Sequence, residues 1–239
     1  VDVFETSRVL TLYSRALGKV SALAKGARRL RSPFRSALDL LSHCDVVLLH
    51  KGTESLDLLT EAELIERFDA PRRDLNALYA ACYVAELLDS LTDHAPPHPR
   101  LHDAAVVTLR HLDDAALRGR RVMRFELACL GEMGHMPSWE QCAGCGRAVD
   151  VERRPVGFGP ATGGLLCPEC QPRQPHATTI APPALAILRA LARPGPEWRE
   201  LEPAPRALLQ ARAALGAVVS HTLGRRPRLL DRVESAPPG

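Results

Sequence analysis

Four cysteines in two close pairs constrain this chain more than any other feature. Cys142-x-x-Cys145 is followed, after 21 intervening residues, by Cys167-x-x-Cys170. A C-x-x-C step places two sulfurs on one side of a tight turn. Two such turns supply the four soft ligands of a tetrahedral zinc site. Gly146 follows the first pair, where a positive φ costs nothing sterically. Glu169 lies between the cysteines of the second pair. The surrounding stretch is rich in glycine and proline and cannot bury a core of its own. Metal binding, worth about 10–16 kcal/mol of folding energy in small zinc modules, is therefore expected to fold it. Four thiolates leave no open coordination position, so the expected ion is single and structural. His135 and His176 flank the module and are read as surface residues.

The other three cysteines, Cys44, Cys82 and Cys129, stand singly among apolar neighbours and read as small buried hydrophobes. Paired cysteines at metal spacing, rather than a disulfide framework, fit a reducing cytoplasm. No run approaches the ~20 apolar residues of a membrane span. The first 30 residues are rich in arginine and lack the apolar stretch of a signal peptide. The chain starts on Val1, and Val1–Phe4 is already strand-like, so a few native residues are expected to precede it.

Two regular regions surround the cysteine module. Residues 1–68 read as β-structure. The candidate strands are Val9–Tyr13, Lys19–Lys25, Val46–Leu49 (expected to be buried) and Ser55–Leu59, with a helical turn over Glu61–Phe68. Short strands separated by turn residues suggest a small barrel or sandwich. Helical periodicity begins after Pro71, with Asp74 as an N-cap. Further helices are expected over Leu101–Leu117, Arg121–Glu132, Pro182–Ala192 and Pro205–Leu223, the last stopped by Gly224. Helices on both sides of the module indicate one helical domain carrying an insertion. The expected boundaries are 1–70 for the β domain, 71–137 for the first helical part, 138–177 for the zinc module, and 178–239 for the second helical part and tail.

Charge is unevenly placed. From Arg8 to Arg35 there are eight basic residues and no acidic one, so this segment carries +8 in a chain of net +3 and the remainder carries −5. A solvated face is the ordinary meaning of a charge run. Twenty-eight residues without one acidic partner instead favour an anionic ligand such as nucleic acid. Lys25-Gly26-Ala27-Arg28-Arg29 falls on a predicted loop between strands. Phe4, Tyr13 and Phe34 are the few aromatics available for stacking, so phosphate contacts with little sequence preference are expected. Arg118, Arg120, Arg121 and Arg124 form a second cluster, expected either to extend the basic surface or to stand as exposed side chains. A third, Arg225, Arg226 and Arg228, suits a helix C-terminus as well as a binding role.

No catalytic constellation emerges. The phosphate-binding G-x-x-x-x-G-K-[ST], G-x-S-x-G and H-E-x-x-H motifs are absent. Asp113-Asp114 and Glu61/Glu63 are carboxylate pairs without an associated histidine. Glu126 sits on a partly buried helix, where an ion pair is the expected role.

The order of these features resembles the bacterial RecO family of recombinational DNA-repair mediators. The matching stretches are Arg8 to Tyr13, Gly18-Lys19, Lys25 to Arg29, Arg124-Phe125-Glu126-Leu127 leading to Gly134, the Cys142/Cys145 knuckle with Gly146, and Gly157-Phe158 with Gly163-Gly164 before the second knuckle. The resemblance implies an α+β chain: an N-terminal OB-fold β-barrel, then a helical domain with an inserted four-cysteine zinc module, here of the zinc-bearing type. It implies a non-enzymatic cytoplasmic, nucleoid-associated protein that binds single- and double-stranded DNA and anneals complementary strands. The family works with RecR to load RecA onto DNA coated by single-stranded-DNA-binding protein, whose C-terminal tail it contacts. By position, Lys19, Lys25, Arg28 and Arg29 become DNA-contact candidates. Arg31 and Arg35 extend the set on charge alone. The family begins with a strand ahead of Val1–Thr6. Two other readings stand beside this one: a zinc-ribbon protein-interaction adaptor without direct DNA binding, and a metal-dependent nuclease or nucleotidyl transferase.

Overall fold

The computed structural model describes residues 2–3, 6–29, 32, 34, 37–52, 56–93, 96–152 and 154–234. The chain forms two compact units, Val1–His111 and Leu112–Gly239.

The first unit is built on five strands: β1 (Asp2–Val3), β2 (Ser7–Ser14), β3 (Gly18–Ala24), β4 (Ser42–Leu49) and β5 (Asp57–Arg67). Their order, β1-β2-β3-β5-β4, with a parallel β3–β5 step, is that of an OB-like barrel. β2 and β3 pair from Arg8↔Ala24 to Ser14↔Gly18. The closing turn requires Gly18: its φ is +70°, and a Cβ there would meet the Pro96 carbonyl oxygen at 2.7 Å. Period-2 alternation points Leu10, Leu12, Ala22, Ala24, Val46, Leu48, Leu59 and Ala62 inward around Phe34.

Two expectations are corrected here. Glu61–Phe68 is not a helical turn, because β5 continues as strand to Arg67. Alternation of Ala62 and Leu64 with exposed Glu61, Glu63 and Ile65 keeps the strand period running. Val46–Leu49 is a strand but not a buried one. It is the outer strand of the sheet, and only every second side chain faces the core.

Helix α1 (Ala70–Arg73) leads into α2 (Leu75–Leu91). Asp74 caps α2 as expected, its carboxylate accepting from the Asn76 and Ala77 amides at 2.7 and 3.1 Å. Ala77, Ala81, Val84 and Leu87 form its buried face. α3 spans Pro99–Arg110 and stops short of the expected Leu117. Leu117 instead lies in the first turn of the next helix, where its amide donates to the Asp114 cap at 3.1 Å.

The second unit packs α4 (Ala115–Glu132) against α5 (Pro182–Ala192) and α6 (Pro205–Thr222), with α7 (Leu230–Glu234) following. Between α4 and α5 lies a small antiparallel sheet of β6 (Val156–Gly159), β7 (Gly164–Leu166) and β8 (Thr178–Ile180), in the order β7-β6-β8. The helices hold both ends of this insertion. Arg189 of α5 donates through Nε to the Trp139 carbonyl at 2.9 Å. Gln210 of α6 donates to the Thr179 carbonyl and accepts from the Ala181 amide at 3.2 and 3.1 Å. Trp139 stacks on Phe158 with centroids 6.1 Å apart, joining the entry segment to the sheet.

Candidate metal centre and nucleic-acid face

The β6–β7 hairpin brings the two knuckles together. The Cys142 amide donates to the Arg147 carbonyl at 2.8 Å, and the Gly146 amide to the Cys142 carbonyl at 2.8 Å. Gly146 takes the positive φ expected of it, +74°. In the second knuckle the Cys170 amide donates to the Cys167 carbonyl at 3.1 Å. The Ala143 amide donates to the Leu165 carbonyl at 2.7 Å and locks one knuckle to the strand that carries the other.

The four cysteine sulfurs all lie within 4.8 Å of one another. Cys145 Sγ and Cys167 Sγ are 3.8 Å apart. A tetrahedron with zinc–sulfur bonds of about 2.3 Å has edges of about 3.8 Å, so the donor set fits such an ion. The thiols show why a cation belongs among them. Burial works to raise Cys142, but backbone N–H groups of Cys167, Gly144 and Cys145 bring it down to about 6. Cys170, hydrogen-bonded to the Cys167 sulfur and partly desolvated, is pushed up to about 12. Four sulfurs this close cannot all ionise alone, and a divalent cation removes that penalty.

An exposed charged pair joins the two knuckles. Arg147 donates through both terminal nitrogens to Glu169, at 3.1 and 2.6 Å. This fork ties the residue two after Cys145 to the residue between Cys167 and Cys170, and it holds the Glu169 carboxyl below its usual range. Glu169 stood out between the cysteines of its knuckle, whereas Arg147 did not. The available signal was one charge of each sign beside each knuckle.

The basic segment is divided between the two ends of the β2–β3 hairpin. At the turn end, Arg15 binds Asp103 of α3 at 2.9 Å. Lys19 donates to the Asp89 carbonyl of α2 at 2.5 Å, and its side chain is 11% exposed. At the open end, Arg8, Lys25, Arg28 and Arg29 are exposed. The Arg28 amide donates to the Thr6 carbonyl at 3.1 Å, and the Arg29 amide to the Gly26 carbonyl at 3.0 Å, closing a turn on Gly26. Six residue steps along an extended chain, roughly 20 Å, separate Lys19 from Lys25. The structure therefore groups Lys25, Arg28 and Arg29 and sets Lys19 apart. Arg31 and Arg35 lie outside the described residues, as does Phe4. Phe34 is a core residue, and Tyr13 stacks with His102 at 6.5 Å.

The Arg118–Arg124 cluster is neither a second basic surface nor a set of exposed side chains. Arg118 and Arg120 are buried. Arg118 donates to the Leu112 carbonyl at 2.7 Å, and Arg120 to the Leu201 and Trp198 carbonyls at 2.6 and 3.2 Å. Arg124 donates to the Leu191 and Arg193 carbonyls at 2.8 and 2.9 Å, capping the C-terminus of α5. Arg121, Arg124 and Arg199 surround the Trp198 ring at 5.2–5.7 Å. Guanidinium groups carry enough donors to satisfy carbonyls at helix ends, so a helix rich in arginine can be an interior one. In the third group, Arg226 pairs with Asp231 and Glu234 at 2.5 and 2.6 Å. Glu126 is fully buried and meets Arg212 of α6 through two contacts of 2.6 Å.

Two family models divide the chain between them: Recombination protein O N terminal matches residues 1–68, and Recombination protein O C terminal matches residues 72–231. The chain belongs to the RecO family of DNA repair proteins. It is 42% identical to the DNA repair protein RecO of Rhodopirellula baltica over 192 residues, covering 80% of this chain and 71% of that one. It is 37% identical to the RecO protein of Anaeromyxobacter dehalogenans strain 2CP-C over 237 residues, covering 98% and 92%. The RecO protein of Myxococcus xanthus is 31% identical over 231 residues, covering 97% and 91%. The OB-like barrel, the helical unit and the four-cysteine cluster are thus features of a RecO-family chain. Among the described residues no helix is long and apolar enough to cross a membrane.

Proposed function

We propose that this RecO-family protein is a non-enzymatic recombination mediator. It binds single- and double-stranded DNA, anneals complementary strands, and with RecR helps load RecA onto DNA coated by single-stranded-DNA-binding protein, whose tail it contacts. Its place of work is then the cytoplasm, on the nucleoid. One observation carries the DNA reading: three exposed cations, Lys25, Arg28 and Arg29, stand together at the open end of an OB-like hairpin. Arg31 and Arg35 continue that segment as further contacts. Lys19 is a further contact by its position in the family pattern, and its ammonium also donates to the Asp89 carbonyl of α2. The ion is zinc, bound by Cys142, Cys145, Cys167 and Cys170, and its role is structural because the donor set is full.

Annealing by this route is charge neutralisation. Cations on one protein offset phosphate repulsion between two strands, and no nucleotide is consumed. The test is annealing of strands precoated with single-stranded-DNA-binding protein, across a salt titration and without nucleotide. Replacing Lys25, Arg28 and Arg29 by Ala is expected to lower the slope of log affinity against log salt on single strands by about 2. Failure to anneal, together with unchanged DNA affinity in the triple variant, would sink the proposal. Scission of the strands on adding magnesium would favour an enzyme instead.

A further inference from the structure

The Glu61/Glu63 pair, unused by any of the chemistry above, lies on a surface that suits a different ligand. In the β4–β5 ribbon, Asp45 stands directly opposite Glu63, and Val47 opposite Glu61. All four point outward, because Val46 and Ala62 between them point into the core. Leu49 and Ile65 extend the same face towards the two ends. Val47, Leu49 and Ile65 are 52%, 55% and 50% exposed. The Thr60 hydroxyl donates to the Val47 carbonyl at 3.0 Å beside the irregularity at Val47/Leu48, which fixes the register of this stretch.

Two features make this face unfavourable when left bare. Like charges directly opposite on one sheet face are destabilising, by roughly 0.2–1 kcal/mol a pair. Among the described residues, neither Glu61 nor Glu63 has an ion-pair partner. The nearest cations along the two strands are Arg67, the last residue of β5 opposite Ser42, and Lys51, just past the end of β4. Three branched apolar side chains, Val47 among the carboxylates and Leu49 and Ile65 to either side, are exposed on the same face. Phosphate is repelled by such a surface, so nucleic acid is not its ligand.

We infer that the outer face of β4–β5 is a docking surface for a protein partner that presents lysine or arginine side chains around an apolar strip. Charge complementarity selects that partner. Its cations relieve the Asp45–Glu63 repulsion, and its apolar residues cover Val47, Leu49 and Ile65. The barrel then carries two surfaces of opposite sign, one at Lys25–Arg29 and one on β4–β5. The inference rests on the proposed function only in giving the first of them to DNA.

The experiment uses the full zinc-loaded chain and two synthetic twelve-residue peptides, one alternating lysine with valine and one alternating lysine with serine. The lysine–valine peptide is expected to bind at least tenfold more tightly and to slow amide exchange over 44–49 and 60–66. Asp45→Asn/Glu61→Gln/Glu63→Gln should weaken it about tenfold. Val47→Ser/Leu49→Ser should reduce it to the level of the lysine–serine peptide. These outward-facing changes leave the core intact, which circular dichroism checks. DNA affinity should not change in either variant, whereas Lys25/Arg28/Arg29→Ala should lower DNA affinity and leave peptide binding alone. Peptide binding indifferent to the ribbon variants overturns the inference, as does protection outside the ribbon. So does sedimentation showing the face already covered by a second copy of the chain. Loss of DNA binding in the ribbon variants would reassign the face to nucleic acid.

Discussion

Arginine is the residue whose behaviour the sequence conceals most. Its charge suggests a surface, but Arg118, Arg120 and Arg212 are buried. Arg212 shows the energetic stake. It meets Glu126 through two 2.6 Å contacts, and both residues are shielded from water. Replacing such a pair by apolar groups is often neutral, whereas removing one partner strands a buried charge and costs about 3–5 kcal/mol. Arg212→Met is therefore expected to cost about that much in denaturant unfolding. Glu126→Leu with Arg212→Met should recover most of it. Equal loss in the single and double variants would show that packing, not charge, matters there. Glu126 was legible as a buried-helix carboxylate. Its partner was not, because 86 residues of chain separate them and no local pattern links them. His43 is a second case. Burial lowers its pKa first, with His102 at 5.7 Å and Arg110 adding to the effect, while Glu66 and Asp45 oppose it. A depressed folded pKa means that the unfolded chain binds the proton more readily. The stability from neutral His43 is then full above about pH 6.5 and is lost as pH falls through the lower folded value. Wild-type protein should lose stability between pH 7.5 and 5.5 in a manner that His43→Gln reduces. An identical pH profile in the variant would remove His43 from the account.

At the scale of elements, local signals worked where one physical cause dominated. Asp74 caps α2, Gly146 takes its positive φ, and α5 spans the expected Pro182–Ala192. They failed where tertiary placement decided. Glu61–Phe68 has helix-compatible residues, but pairing with β4 from Glu61 to Arg67 holds it as strand. The cysteine knuckles were legible from spacing alone because four-ligand geometry leaves few alternatives. The Arg147–Glu169 fork was not, since it needs the knuckles already folded. That fork bridges them on the solvent side, so it should govern how readily zinc leaves rather than whether it binds. Arg147→Ala and Glu169→Gln are each expected to speed zinc transfer to a competing chelator severalfold, while metal content stays near one ion per chain. A transfer rate unchanged in both variants would make the pair a passive surface contact, which is the usual worth of exposed ion pairs.

For the whole molecule, net charge says little and its distribution says more. The cations gathered at Lys25–Arg29 and the acids on β4–β5 give one barrel two faces. The four-cysteine cluster, in contrast, belongs to the second unit, where Arg189 of α5 and Gln210 of α6 hold its module. This arrangement reads the four cysteines as a brace within a helical unit rather than as a DNA-reading finger. Both tryptophans belong to that unit: Trp139 stacks on Phe158 inside the module, and Trp198 lies beneath arginines of α4. Tryptophan fluorescence is therefore a reporter of the second unit alone. Removing zinc with a chelator at pH 7.5, or replacing Cys142 by Ala, is expected to change that fluorescence and lower the second unit's melting temperature. Amide exchange in α2 should be unchanged, since α2 belongs to the first unit and the cysteines to the second. DNA affinity, if it resides at Lys25–Arg29, should fall later than the fluorescence changes and by less. A zinc-free protein that kept its tryptophan signal and melting temperature but lost DNA at once would reverse that order and make the module part of the DNA surface.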